Sequence, residues 1–266
     1  MSKREVRRKK LRKRVLSLVV ILAIIITIAT YYYLTSAPHE GSKKAVIYDS
    51  LHRFIPNDNL LRQLKTILRN SGYVVDVFID DNATVENFKK ITEYDLIIIR
   101  AHGGYLPKGI EVMNYYLKDY MAFIFTGELY NPNRYVHEQR ALEIMIGKFI
   151  HENGSYTEVF AVSPLFIVGM HGMFKKNSVV IIASCYGLTG EMLAEAFLRK
   201  GASIYIAWPG DVSVEYMDKG LLKLIENALV KGLEWRKAVE QTNLEIGPDP
   251  FYNSTLEWRD RSLLEK

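Results

Sequence analysis

The chain has 266 residues, 48% hydrophobic and 24% charged, with a formal net charge of +5. That balance belongs to a protein that buries a core, and it excludes a disordered or collagenous chain. The charge is lopsided: residues 1–14 (MSKREVRRKKLRKR) hold nine Lys/Arg and one Glu, which leaves −3 on the remainder, so a basic folded face for nucleic acid is excluded too.

The basic tail, residues 1–14, runs directly into an uncharged apolar stretch, residues 15–34 (VLSLVVILAIIITIATYYYL). Twenty helical residues span about 30 Å, the thickness of a bilayer's hydrocarbon core. Tyr31, Tyr32 and Tyr33 stand where an aromatic belt is expected. A cleaved signal peptide is the alternative. The apolar run is long for one, however, and Pro38 follows the small-residue site Thr35-Ser36-Ala37. The reading is therefore an uncleaved signal anchor, a single-pass transmembrane helix. The positive-inside rule puts its N-terminus in the cytoplasm and everything after about residue 35 outside. Three sequons, at Asn82, Asn153 and Asn253, lend weak support.

A polar linker, residues 35–43, precedes an alternation of strands and helices. Residues 44–50 (KAVIYDS) predict a strand. Residues 57–72 predict an amphipathic helix, with Leu60, Leu61, Leu64, Ile67 and Leu68 at helical spacing, a cap at Asn57 or Asp58, and Gly72 at its end. A strand over 73–80 and a short helix from Thr84 to Thr92 follow. DLIIIRAHGG, residues 95–104, is nearly continuous in apolar residues and predicts a strand buried on both faces. Residues 105–177 break the rhythm and read as an insertion with its own hairpin or small subsheet. It holds a strand over 120–129, a helix in the later part of 133–154, and a weakly alternating piece, 156–169, with Pro164. Regularity returns with a strand over 178–187 (SVVIIASCYG), a helix over 191–201, a strand over 202–211, and helices over 214–232 and 233–243. The folded domain thus covers 44–245, and 246–266 reads as a loosely packed C-terminal tail.

This order predicts an α/β fold, a three-layer sandwich with a mostly parallel central sheet. In such folds ligands bind outside the carboxyl ends of the strands. Those ends carry Asp49, His52, Arg100, His102, Gly103, Ser184, Cys185, Trp208 and Asp211. The only cysteine and one histidine thus fall on one rim. Cys185 as plain packing is the alternative, but a thiolate beside a base attacks carbonyls. All six histidines precede Cys185. That order excludes papain-like peptidases, class I glutamine amidotransferases and α/β-hydrolases, and no G-x-S-x-G occurs. His102 ends a buried strand and is followed by two glycines, whose backbone can come close to a substrate. His171, in MHGM, repeats the His-Gly pair as a lesser rival. The histidines show no metal-ligand spacing.

The blocks DLIIIRAHGG and SVVIIASCYG resemble the signature of the caspase-like cysteine peptidases, the group of caspases, legumain, gingipains and clostripain. The segments EMLAEAFLRKGASIYIAWPGDVS and LEWRKAVEQTN are similar to the group as well, so the likeness covers about residues 44–104 and 175–243. The resemblance implies His102 as base, Cys185 as nucleophile, and an oxyanion hole from the backbone N–H groups of Gly103 and Cys185. It implies peptide or protein substrates, a thioester intermediate, and no metal or organic cofactor. The 82 residues between His102 and Cys185 exceed what compact members need. The substrate-selecting residue does not carry over by motif. Asp211, with Trp208 near it, is placed for substrate binding and for a basic side chain, or else Asp211 caps the next helix. Asp49 and Glu128 are further acidic options. The expected function is a membrane-anchored caspase-like peptidase facing outward. The alternatives are a catalytically silent relative that binds a peptide or protein at the cell surface, and a receptor domain in which Cys185 only packs.

Overall fold

The structure, a computed structural model, describes residues 21–27, 42–113, 115–151 and 153–265. The chain divides into two compact units, residues 1–42 and 43–266. In the first, residues 21–27 are helical and exposed; the basic tail, most of the apolar stretch and the linker lie outside the described residues. Among the described residues no helix is long and apolar enough to cross a membrane.

The second unit is built on a six-stranded sheet. β1 (Lys43–Asp49), β2 (Tyr73–Ile79), β3 (Leu96–Arg100), β10 (Val179–Ala183), β11 (Ile204–Ala207) and β12 (Glu257–Asp260) lie in the order β12-β11-β10-β3-β1-β2. All pairings are parallel except that of β12 with β11. The inner strands are apolar on both faces because both faces are covered. Ala45, Ile47, Leu96 and Ile98 pack towards α1 (Asp58–Asn70), α6 (Val214–Ile225) and α7 (Trp235–Ile246). Val46, Tyr48, Ile97 and Ile99 pack the other way, towards α2 (Val85–Phe88), α4 (Pro164–Gly169) and α5 (Met192–Arg199). The protein is therefore a mixed α/β, three-layer fold with a mostly parallel central sheet. In α1, Asn57 accepts from the Leu60 N–H at 3.0 Å, and Leu60, Leu64 and Leu68 form the buried stripe. Burying each of these leucines stabilises the fold by about 1.5–3 kcal/mol.

Residues 103–162 form a second, antiparallel sheet in the order β4-β7-β9-β8, from β4 (Gly103–Leu106), β7 (Met121–Leu129), β8 (Ile144–Ile150) and β9 (Tyr156–Val162). A two-stranded ribbon, β5 (Glu111–Val112) and β6 (Tyr115–Tyr116), lies between β4 and β7 in the chain. β7 crosses the carboxyl ends of the central strands. The Phe125 N–H donates to His102 O at 2.9 Å, Phe125 O accepts from Ser50 Oγ at 2.6 Å, and the Gly127 N–H donates to Ala83 O at 2.7 Å. The insertion thus roofs the rim where the site is expected.

Two expectations are corrected here. Residues 133–154 are helical only over α3 (Val136–Arg140), early rather than late, and IMIGKFI is β8. Its period is two: Met145, Gly147 and Phe149 share one face. Gly147 is required there, since a Cβ would lie 2.8 Å from the Phe125 ring. Nor is 246–266 a loose tail. β12 extends the central sheet, Arg259 Nε bonds both carboxylate oxygens of Glu191 at 3.0 and 3.1 Å, and Arg236 reaches Asp260 at 2.7 Å. Polar composition hid a strand whose Arg259 and Asp260 are anchored by partners far away in sequence.

Candidate active site

β3 and β10 are neighbours in register, with Ile98 opposite Ile181 and Arg100 opposite Ala183. The Ala101 N–H donates to Ala183 O at 3.0 Å, the bond that closes the Arg100–Ala183 pair. His102 and Cys185 each follow that last pair by two residues. Gly103 lies hard against the neighbouring chain: a Cβ there would stand 2.0 Å from Cys185 O and 2.9 Å from Ser184 Oγ. Only glycine permits this approach, which gives the His-Gly pair a steric reason.

His102 is half-buried. Its ring packs on Phe149 at 4.6 Å between centroids, and Phe149 stacks on Phe54 at 4.0 Å and meets His151 at 5.0 Å. Nε2 is buried without a hydrogen-bond partner. Burial, followed by the Arg100 guanidinium, lowers the imidazole pKa to about 4. At neutral pH the ring is uncharged and keeps a lone pair to accept a proton.

Cys185 is half-buried as well. Its Sγ accepts from the Val212 N–H at 3.4 Å, and the thiol faces Val212 O at 3.5 Å. Burial pushes the thiol up, the Val212 N–H pulls it back, and the Asp211 carboxylate adds to the rise, so the net direction is upward. The resting pair is thus a thiol and a neutral imidazole, and among the described residues no hydrogen bond joins them.

Phe125 bonds His102 O while Gly103 stands opposite Ile124, which makes Gly103–Ile124 a non-hydrogen-bonded pair and turns the Gly103 N–H out of the ladder. Among the described residues no backbone acceptor takes the Gly103 N–H, whereas the Cys185 N–H bonds its own sulfur. A free N–H beside the nucleophile's chain is one element of an oxyanion hole.

Beneath the pair, Arg100 is 1% exposed and saturated. Nε and Nη2 donate to Asp218 at 2.6 and 2.8 Å, Nη1 donates to Asp49 at 3.1 Å, and both Nη atoms reach Ile55 O at 3.1 Å. Burial opposes the arginine's charge, but the two carboxylates prevail and raise its pKa. Beside it, a cleft of about 470 Å³ opens between the N-terminal turns of α1 and α6, lined by Asn57, Gln63, Glu215 and Lys219 among others.

The remaining expected site residues divide. Trp208 is a correction: it is 0% exposed, with its ring against Gly220 of α6. The alternation Ile204, Ile206, Trp208 carries it inward, so it belongs to the core and presents no surface to a substrate. Asp211 is exposed and accepts from the Tyr186 hydroxyl at 2.5 Å. It does not cap a helix, because α6 starts at Val214 with Ser213 in the cap position. Asp49 is held by Arg100, and buried Glu128 is taken by the Val85 N–H at 3.0 Å and by Arg134, so neither faces a ligand. His171 is exposed and lines a separate cleft with Lys89, Glu138 and Glu143.

Sequence reasoning missed three contributors. Phe149 covers the imidazole, Val212 holds the sulfur through its backbone, and Tyr105 meets Tyr186 in a tilted ring contact at 4.8 Å beside Asp211. IMIGKFI fits a helical period as well as a strand's, so Phe149 carried no signal of its own, and a backbone contact such as that of Val212 leaves no mark in a sequence.

Fold and site together define a three-layer α/β domain that carries a thiol and an imidazole on adjacent strand ends under an antiparallel roof. No model of a known protein family matches the chain, and no curated protein matches it.

Proposed function

We propose that this chain is a membrane-anchored, caspase-like cysteine peptidase whose domain faces outward from residues 15–34. The observation that supports the reading is that β3 and β10 pair in register up to Arg100 and Ala183, two residues before His102 and Cys185, and that Gly103 lies against Cys185 O. In the reaction, the imidazole takes the thiol proton and Sγ attacks the scissile carbonyl carbon. The N–H groups of Gly103 and Cys185 receive the oxyanion. The amine leaves with the proton from the imidazolium, and water, activated by the same ring, hydrolyses the thioester. Before that, the sulfur turns from Val212 and Phe149 yields the imidazole. Asp211, beside the Tyr105–Tyr186 pair, is the acidic group open to a basic substrate side chain.

A second reading is favoured by the resting contacts themselves. With the sulfur facing Val212 and the imidazole under Phe149, the domain could bind a peptide or protein at the cell surface without cleaving it. Acyloxymethyl-ketone probes with varied P1 groups separate the two. Covalent labelling of Cys185 that is lost in both Cys185→Ala and His102→Ala supports the peptidase. Absence of labelling by every probe, with peptide binding retained, overturns it in favour of the binding module.

A further inference from the structure

His52, just past the carboxyl end of β1, has a carboxylate on each ring nitrogen. Nδ1 lies 3.1 Å from Oδ1 of Asp80, in the turn after β2, and Nε2 lies 3.2 Å from Oδ1 of Asp58, the first residue of α1. The backbone N–H of His52 donates to Asp49 Oδ1 at 2.9 Å. The side chain is 12% exposed. A neutral imidazole has one N–H and one lone pair, and an ionised carboxylate only accepts. Both contacts together therefore require both ring N–H groups, so His52 makes them as an imidazolium. Burial opposes that charge, but Asp80 and Asp58 prevail and raise its pKa above the ordinary 6.5.

The cation secures a turn that reaches the candidate site. Leu51 O accepts from the N–H groups of Phe54 at 3.0 Å and Ile55 at 2.8 Å, so residues 51–55 form one hydrogen-bonded turn. From that turn Phe54 stacks on Phe149, 4.0 Å between centroids and 14° between planes, and Phe149 covers His102. Phe149 is thus held between the turn and the imidazole. Two other side chains pin the turn: Arg100 bonds Ile55 O, and Arg53 pairs with Asp81. An arginine keeps its charge throughout the physiological range, whereas an imidazolium loses its own within it. His52 is the pin that a change of pH releases.

We propose that His52 is a pH-sensitive latch on the cover of the site: charged, it holds the Phe54 turn against Phe149; neutral, it gives up one of its two carboxylates, the turn loosens, and Phe149 leaves His102. A group held as a cation contributes in full below its unfolded pKa, and the contribution is lost as pH rises through the folded one. The cover is therefore shut in weak acid and loosens above neutrality. The charged and titratable groups around the latch are Asp49 and Arg53 on its own segment, Asp80 and Asp81 after β2, Asp58 of α1, Arg100 of β3 with its partner Asp218, and His151, which meets Phe54 at 6.0 Å and Phe149 at 5.0 Å. Control of turnover by this latch rests on the peptidase reading, whereas the movement of the cover does not.

The test is NMR of the full chain in detergent micelles from about pH 6 to about pH 8, the range in which an imidazole titrates. His102 takes up its proton only near 4, and the Cys185 thiol is pushed up from its ordinary value. Changes in the His102 ring resonances within this range therefore report the cover. In the wild type those resonances should move, and amide protection of Phe54 and Ile55 should fall by about three- to tenfold, both at the midpoint of the His52 ring. In Asp58→Asn, at a site 83% exposed, that midpoint should come down by ~0.5. His52→Gln should abolish the response, and His151→Gln should leave it in place. A response that survives His52→Gln or vanishes in His151→Gln overturns the proposal. So does a flat wild-type response, or a midpoint unmoved in Asp58→Asn. Should His52→Gln fail to fold, the wild type and Asp58→Asn carry the test through the shared midpoint. A moving cover in a chain that cleaves no peptide sinks the peptidase reading alone; a flat response in a chain that cleaves sinks the latch alone.

Discussion

The two sheets of this domain are built on opposite terms. The central parallel sheet is covered on both faces, and β3 and β10 are buried at every position. In the antiparallel roof the inner strand β7 is buried on both faces, but the edge strand β8 is covered on one. Ile146 and Ile150 of β8 are 45% and 73% exposed, while Phe149 between them faces inward onto His102. The rigid sheet supplies the backbone frame of the site, and the half-exposed one supplies the side chain that shuts it. A shutter is best placed on the element that costs least to move, and an edge strand with one wet face is such an element.

Replacing Arg100 should discriminate the two sheets most strongly. Arg100→Met leaves Asp49 and Asp218 buried without their cation and should destabilise the whole domain by about 3–5 kcal/mol in chemical denaturation. If the loss were below about 1 kcal/mol, the buried network would not be what ties β1, β3 and α6 together beneath the site.

Acid should act next. With His102 lowered to about 4, the unfolded chain takes up this proton below about pH 6.5 while the folded chain does so only near 4. Its contribution to stability is complete above pH 6.5 and is lost as pH falls to 4, about 3 kcal/mol in all. His102→Phe should therefore show a flatter stability curve across that window than the wild type. Parallel curves would mean that the ring is not shielded as described.

Phe149→Ala tests the shutter itself. Uncovering the ring should move the His102 pKa from about 4 back towards its ordinary value, followed by NMR titration, at a stability cost of about 2 kcal/mol for a half-buried phenylalanine. In the peptidase reading it should also speed probe labelling of Cys185. A ring pKa that stays near 4 would assign the desolvation to other neighbours. The smallest effect belongs to Ile150→Thr on the wet face of β8, within about 0.5 kcal/mol of wild type.

Much of the central sheet was legible because its signals are local. The runs LIII and VVII predict strands buried on both faces, the leucine spacing of 57–72 predicts α1, and Asn57 acts as the cap expected of it. IMIGKFI was misread as helix because an apolar heptapeptide fits either period, and only pairing with β9 selects the strand. β12 was missed because its partners, Glu191 and Arg236, lie far off in the chain. Trp208 was expected at a substrate from its strand-end position alone, whereas the alternation Ile204, Ile206, Trp208 turns it into the core.

By itself the sequence determined the strands and helices of the central sheet from β1 to β11 and the coincidence of the sole thiol with a strand end; these depend on hydrophobic rules acting over a few residues. Only the tertiary structure decided that the imidazole rests uncharged beneath Phe149, that the sulfur leans on the Val212 backbone, and that His52 reaches Asp80. Those outcomes depend on burial and on hydrogen bonds between chain segments tens of residues apart, and no local pattern encodes them.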